Sequence, residues 1–166
     1  MKSSVDVQGD YRPSDGTPLD PFVGKTLDKR YRVGERIGSG GIGTVYRGEH
    51  VTLHKAVAIK VLRSELAQLP EFLKRFDREA RAMSRLSHVN IVSVTDFGVS
   101  DKVAFIVMEL LEGASLADEI ARGRLPVPRA IFLTRQILAA LAYAHGMGVV
   151  HRDLKPHNVM IVNQPG

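Results

Sequence analysis

The stretch YRVGERIGSGGIGTVYRGEHVTLHKAVAIKVL, residues 31–62, decides the fold. It contains three short runs rich in Val, Ile and Tyr, namely YRVGERIG, TVYRGEH and KAVAIKVL. A glycine cluster separates the first two and a polar turn at Thr52 to His54 separates the last two. β-Branched and aromatic runs between such turn formers read as three antiparallel strands. Between the first two lies Gly38-Ser39-Gly40-Gly41-Ile42-Gly43-Thr44-Val45, a GxGxxG followed by xV. Without side chains, glycines let backbone N–H groups approach a phosphate closely. A dinucleotide-binding version of this motif opens a helix, whereas this one leads from strand directly into strand. A glycine-rich hairpin without ligand is the plain alternative for this segment taken alone.

Working outward, Lys60 alternates with apolar residues in Val57-Ala58-Ile59-Lys60 and so belongs to one defined face of the sheet. Residues 70–86, PEFLKRFDREARAMSRL, place Phe72, Phe76, Met83 and Leu86 on one helical stripe, with Pro70 where a helix start tolerates it. Glu79 falls on that stripe. A carboxylate on an apolar face requires a cation, and Lys60 on the preceding strand is the expected partner. The runs NIVSVTDFGV and KVAFIVMELL read as two further strands joined by a tight turn at Ser100-Asp101. After Gly113 the texture turns helical: SLADEIARG opens at a Ser115 cap, and VPRAIFLTRQILAALAYAHGMG reads as a long helix ended by Gly146.

The last segment, VVHRDLKPHNVMIV, reads as two β-branched runs around a polar loop. His151-Arg152-Asp153-Leu154-Lys155-Pro156-His157-Asn158 sets a carboxylate, an ammonium and an amide within six positions. These are the groups that phosphoryl transfer needs. A carboxylate orients and deprotonates a hydroxyl, an ammonium neutralises charge on the moving group, and an amide oxygen holds a metal ion.

Taken in order, the glycine loop, VAIK, the helix glutamate and HRDLKxxN resemble the bacterial Ser/Thr protein kinases of the eukaryotic-like type, from about Tyr31 to the end of the chain. The resemblance implies an α+β fold with a five-stranded antiparallel N-lobe sheet and one helix, followed by the first part of a helical C-lobe. It divides the chain into a flexible leader over 1–24, an N-lobe over 25–112 and a partial C-lobe over 113–166. It implies ATP and Mg²⁺ as cofactors and a protein Ser or Thr hydroxyl as acceptor. By the same resemblance Lys60 contacts the α- and β-phosphates and pairs with Glu79, Asp153 is the catalytic base and Asn158 binds Mg²⁺. The phosphate cradle is Gly38, Ser39, Gly40, Gly41, Ile42 and Gly43. Ile37, Val45, Ala58 and Met160 sandwich the adenine, Met108 is the gatekeeper, and Glu109 to Leu111 form a hinge whose backbone bonds the adenine edge. Lys155 fits the Ser/Thr-specific pattern, and Arg152 resembles the arginine that pairs with a phosphorylated activation loop.

The family pattern continues beyond HRD to a metal-binding DFG and an APE, whereas the sequence here ends at Gly166. The expectation is therefore a piece of a longer kinase, inactive alone, with the apolar face of its long helix exposed; a nucleotide-binding or scaffolding module is the alternative. Two segments mimic motifs. Asp96-Phe97-Gly98 spells DFG but precedes HRD, and Gly24-Lys25-Thr26 ends like a P-loop but has Leu19 where glycine is required.

Composition narrows the classes. The 166 residues carry 44% hydrophobic and 25% charged residues, enough for a packed core. No apolar run reaches membrane-spanning length. The net charge of +5 is spread without a block of like charges, which argues against nucleic acid. The absence of cysteine removes disulfide and thiol chemistry and fits a reducing, cytoplasmic compartment. The six histidines lack metal-ligand spacing, and His151 is expected to brace its own loop. The leader holds three of the eight prolines and has no signal-peptide pattern.

Overall fold

The computed structural model describes residues 20–63 and 69–162. Its centre is a six-stranded antiparallel sheet in the order β1-β2-β3-β4-β6-β5. The strands are β1 (Thr26–Leu27), β2 (Tyr31–Ser39), β3 (Gly43–His50), β4 (Lys55–Leu62), β5 (Val94–Ser100) and β6 (Val103–Glu109). Five of them match the expected strands, and β1 is an addition, too short to leave a period in the sequence. The turn between β5 and β6 is Asp101-Lys102, one residue later than expected, with both residues at positive φ, the combination that suits a two-residue hairpin.

Period-two alternation gives the sheet two different faces. Tyr31, Val33, Tyr46, Val57, Ile59, Val61, Phe105 and Val107 fill one core with Leu27. On the opposite face Leu62, Ala104 and Ile106 meet Phe76 of α1 (Pro70–Met83), flanked by Phe72, Met83 and Met108. The buried stripe of α1 runs through Phe76 and Ala80, so Glu79 sits beside it and is exposed.

The sheet is curled so strongly that its two edge regions meet. Tyr31 of β2 donates its hydroxyl to Asp96 of β5 at 2.6 Å, and Arg30 pairs with the same carboxylate at 2.6 Å. One turn away, Asp28 N–H donates to Ser100 Oγ at 3.1 Å. Asp96 thus closes the sheet and is engaged there by a phenol and a guanidinium. Two residues assigned by sequence to the leader are also anchored: Asp20 accepts from the buried Tyr46 hydroxyl at 3.0 Å, and Phe22 packs on the core. Residues 1–19 of the leader, Leu19 among them, lie outside the described residues.

Beyond the sheet follow β7 (Gly113–Ser115), α2 (Leu116–Ala121), α3 (Val127–Gly146), a single 3₁₀ turn at Pro156–Asn158 and β8 (Met160–Val162). Ser115 caps α2 in a reciprocal box with Asp118. Of the two β-branched runs expected around the polar loop, only the second is a strand, pairing with β7 through Ser115↔Met160; Val149-Val150 finds no strand partner and stays irregular. On α3 only Ala144 is buried, and Ile131, Phe132 and Leu138 are exposed.

Burial and an aspartate acceptor push both Tyr31 and Tyr46 up to about 12. A raised value in the folded state means that each hydroxyl stabilises the fold fully below pH ~10 and loses that contribution as the pH climbs toward 12. Absorbance titration is expected to show two late tyrosines, and Tyr31→Phe or Tyr46→Phe each to remove one. Four tyrosines ionising together near pH 10 in the folded chain would refute this packing.

Candidate active site

Strand register assembles the N-terminal half of the site. Val45 of β3 lies opposite both Gly38 of β2 and Lys60 of β4, and Lys60 lies opposite Ile106 of β6. Two residues along, Ala58 lies opposite Met108. Residues opposite each other share a face, so Val45, Ala58, Lys60 and Met108 occupy one side of the sheet. Ala58 is buried and Lys60 half-buried.

The glycines of the loop do different things. A Cβ on Gly43 would collide with the carbonyl oxygen of Val61, so this glycine is required by the close pairing of β3 with β4. At Gly40 and Gly41 a Cβ would meet nothing within 4 Å, and neither has a positive φ. Packing does not explain them: Gly40 N–H is spent on Gly43 O at 2.9 Å, closing the hairpin, and the open space beside the two glycines fits a phosphate. Ser39, Ile42 and Ile37 are exposed around that space, Ile37 at 49%. Sequence reasoning missed Arg63, whose N–H donates to Ile42 O at 3.1 Å and whose guanidinium reaches Gly40 O at 3.5 Å. Its position one residue beyond the Gly43↔Leu62 pair was the available signal.

At the end of β6, Glu109, Leu110 and Leu111 are half-buried. Among the described residues, no hydrogen bond satisfies the backbone of Leu110 or Leu111, which leaves donors and acceptors for a ligand edge. Met160 on β8 is 39% exposed.

The polar loop holds its three chemical groups together. Lys155 Nζ lies 2.9 Å from Asp153 Oδ2, and Asn158 Nδ2 donates to the same oxygen at 3.0 Å and to the Asp153 carbonyl at 2.8 Å. These bonds, that of Lys155 first and Asn158 second, hold the Asp153 carboxyl below the usual carboxylate range. His151 braces the loop as expected: its carbonyl accepts from Asp153 N–H at 2.8 Å and its Nδ1 lies 3.3 Å from the same nitrogen. Asn158 spends its amide hydrogens on Asp153, so its Oδ1 has no protein donor among the described residues. A hard oxygen of this kind fits Mg²⁺, which takes few protein ligands and completes its shell with phosphate and water. Among the described residues no group of three or more His, Cys, Asp or Glu is disposed to hold a metal.

One expected pair does not form. Glu79 faces Arg152 at 3.5 Å, and not Lys60. The physical reason is the helical phase: Ala80, not Glu79, occupies the buried stripe, which leaves the Glu79 side chain 48% exposed beside the loop cation.

The residues from Tyr31 to the end of the chain, 31–166, match the protein kinase domain model. The chain belongs to the protein kinase family. It is 45% identical over 141 residues to the serine/threonine-protein kinase PrkC of Bacillus subtilis, covering 84% of this chain and 22% of that protein. It is 46% identical over 143 residues to the serine/threonine-protein kinase PknL of Mycobacterium tuberculosis, covering 86% of this chain and 36% of that protein. The crystal structure of the PknI kinase domain of Mycobacterium tuberculosis superposes with a TM-score of 0.74 at 33% identity, covering 84% of this chain and 57% of that one. The chain therefore spans well under half the length of these two curated kinases, and the N-lobe with a partial helical C-lobe is the fold it shares with PknI.

In the kinase loop, Lys155→Met is expected to raise the Asp153 carboxyl toward its ordinary range, read from its NMR titration. A depressed carboxyl stabilises the fold above its unfolded value, and that contribution is lost as pH falls through the folded one; the variant shifts this loss to higher pH. An unmoved titration would remove Lys155 as the cause.

Proposed function

We propose that the protein containing this chain is an ATP-dependent Ser/Thr protein kinase, transferring the γ-phosphoryl group of ATP to a protein hydroxyl. The observation that carries the reading is the Asp153-Lys155-Asn158 cluster, an ionised carboxylate with an ammonium at 2.9 Å and an amide at 3.0 Å. In this reading the backbone of Gly38 to Gly43 and the Lys60 ammonium hold the phosphates. Ile37, Val45, Ala58 and Met160 enclose the adenine, with Met108 behind it and the backbone of Glu109 to Leu111 on its edge. Asp153 orients the acceptor hydroxyl and takes its proton as the oxygen attacks, while Lys155 neutralises charge on the transferring group. Asn158 Oδ1 would hold Mg²⁺, which would supply charge neutralisation at the phosphates. The ATP requirement points to the cytoplasm, and no helix among the described residues is long and apolar enough to cross a membrane. The substrate is a protein bearing an accessible Ser or Thr.

The test is phosphate incorporation from γ-labelled ATP by the whole protein. Lys60→Met and Asp153→Asn are each expected to abolish it, the first by removing phosphate positioning and the second by removing the base. Incorporation at the parental rate by either variant overturns the assignment.

A second reading, nucleotide binding without transfer, applies to the 166-residue chain alone and is favoured by its donor set, in which Asn158 is the one metal ligand proposed. Titration of this chain with ATP is expected to give similar weak affinities with and without Mg²⁺. A strong gain on adding the metal would show that another carboxylate serves it.

A further inference from the structure

The hairpin that carries the glycine loop is bent at its base. β2 and β3 pair regularly from Tyr31↔His50 to Val33↔Gly48 and again at Gly38↔Val45 and Ser39↔Thr44. Between these stretches the register shifts twice, on either side of the single pair Arg36↔Tyr46, and each shift sets one extra β2 residue against β3. Irregularities of this kind bend a strand pair and interrupt its ladder. The loop end of the hairpin is therefore joined to the body of the sheet through a weakened segment, and Tyr46 stands in the middle of it.

A strap from outside the hairpin crosses this bend. On the body side it is tied to Val33, whose carbonyl accepts from Gly24 N–H at 2.8 Å and whose N–H donates to Lys25 O at 2.8 Å. At its other end both carboxylate oxygens of Asp20 accept from the Tyr46 hydroxyl at 3.0 Å. Asp20 Oδ1 also accepts from Phe22 N–H at 3.0 Å, which fixes the carboxylate on the strap, and the Phe22 ring meets that of Tyr46 edge-on at 6.2 Å between centroids. Pro21 and Phe22 share a cleft with Gly43, Thr44 and Arg63 behind the loop. The brace lies wholly on the face away from Lys60, because Tyr46 belongs to the core of Val33, Ile59 and Val61.

We infer that Asp20 is a positioning residue for the nucleotide phosphates: through the Tyr46 hydroxyl it fixes the angle at which the β2–β3 hairpin holds Gly38 to Gly43. The inference rests on the nucleotide-site reading above and adds a support for the loop from behind. Tyr46 is the chain neighbour of Val45, and Val45 is the partner of Gly38, so any movement of Tyr46 passes directly to the first glycine of the loop. Small misplacements of a group that holds a phosphate are costly, and a bend without a brace permits them.

The experiment compares equilibrium binding of ATP and of adenosine, which has no phosphates, to the whole protein. Wild type is expected to prefer ATP. In Asp20→Ala and in Tyr46→Phe that preference falls about tenfold, the worth of one hydrogen bond between loop and phosphate. The double variant matches the single ones, because both remove the same bond. Asp20→Asn, whose Oδ1 accepts the same bonds, keeps the preference. A merely structural role would weaken ATP and adenosine together and leave their ratio unchanged. Circular dichroism checks that each variant is folded, and Tyr46→Phe, which keeps its ring in the core, decides the outcome should Asp20→Ala unfold. If a folded Asp20→Ala or Tyr46→Phe keeps the wild-type ratio, or if Asp20→Asn loses it, the inference is overturned while the nucleotide site stands. If wild type binds neither ligand, or binds ATP no more tightly than adenosine, the site reading falls and takes the inference with it.

Discussion

The pairing of β4 between β3 and β6 is the constraint on which the rest depends. Eight consecutive residues, Lys55 to Leu62, pair with β3 without a slip, and five of them pair with β6. Because side chains alternate, a slip of one residue would send Lys60 into the core of Ile59 and Val61 and expose those two instead. That exchange would bury an ammonium without a partner and free two large apolar side chains, costs that together reach several kcal/mol. The apolar residues thus fix the register, and the register delivers Lys60, Ala58 and Val45 to the opposite face. Stability and site geometry come from the same alternation.

Antiparallel twist then has a second consequence. Six strands coiled about the core of Tyr31, Tyr46, Phe105 and Val107 bring the β2 end and β5 together. Polar groups close this seam: Asp96 accepts from Tyr31 and pairs with Arg30, which also bonds Asp28. The Asp96-Phe97-Gly98 run shows how the same three letters serve different physics. On β5 the Asp96 carboxylate is occupied by a phenol and a guanidinium, which leaves it poorly suited to a cation.

What the sequence made legible follows from what leaves a local pattern. The strands of 31–62, the stripe of Phe72 and Phe76, the Ser115 cap and the limits of α3 are each encoded within a few neighbouring residues, and each appears. The Lys60 face was legible because alternation is strict. The Glu79 partner was not, because positions 79 and 80 lie only about 100° apart on a helix and both satisfy a loose apolar period; the packing of Phe76 with Ile106 and Phe97 sets the helix phase in which Ala80 is buried. The roles of Asp20 and Asp96 were hidden for a different reason. Each depends on a contact between residues 26 or more positions apart, and no periodicity records it.

The polar loop completes the argument because it is held without burial. Every residue from His151 to Asn158 is exposed, so hydrophobic contacts do not fix Asp153. Its own network does: His151 on the Asp153 amide, Asn158 on the Asp153 carbonyl and carboxylate, Lys155 on the carboxylate. The 3₁₀ turn at Pro156–Asn158 sets the spacing that lets Asn158 reach back, and Val159 O accepts from Leu116 N–H at 2.7 Å to anchor the turn on α2. Arg152 stands between these anchors at φ 63, a conformation that costs a non-glycine residue roughly 1 kcal/mol. The cost is borne because the αR alternative at this residue would break the short bond from Asp153 N–H to His151 O, and with it the orientation of the carboxylate. Bent in this way, Arg152 reaches Glu79 of α1, and the one strained residue of the loop becomes its contact with the helix that packs on the sheet.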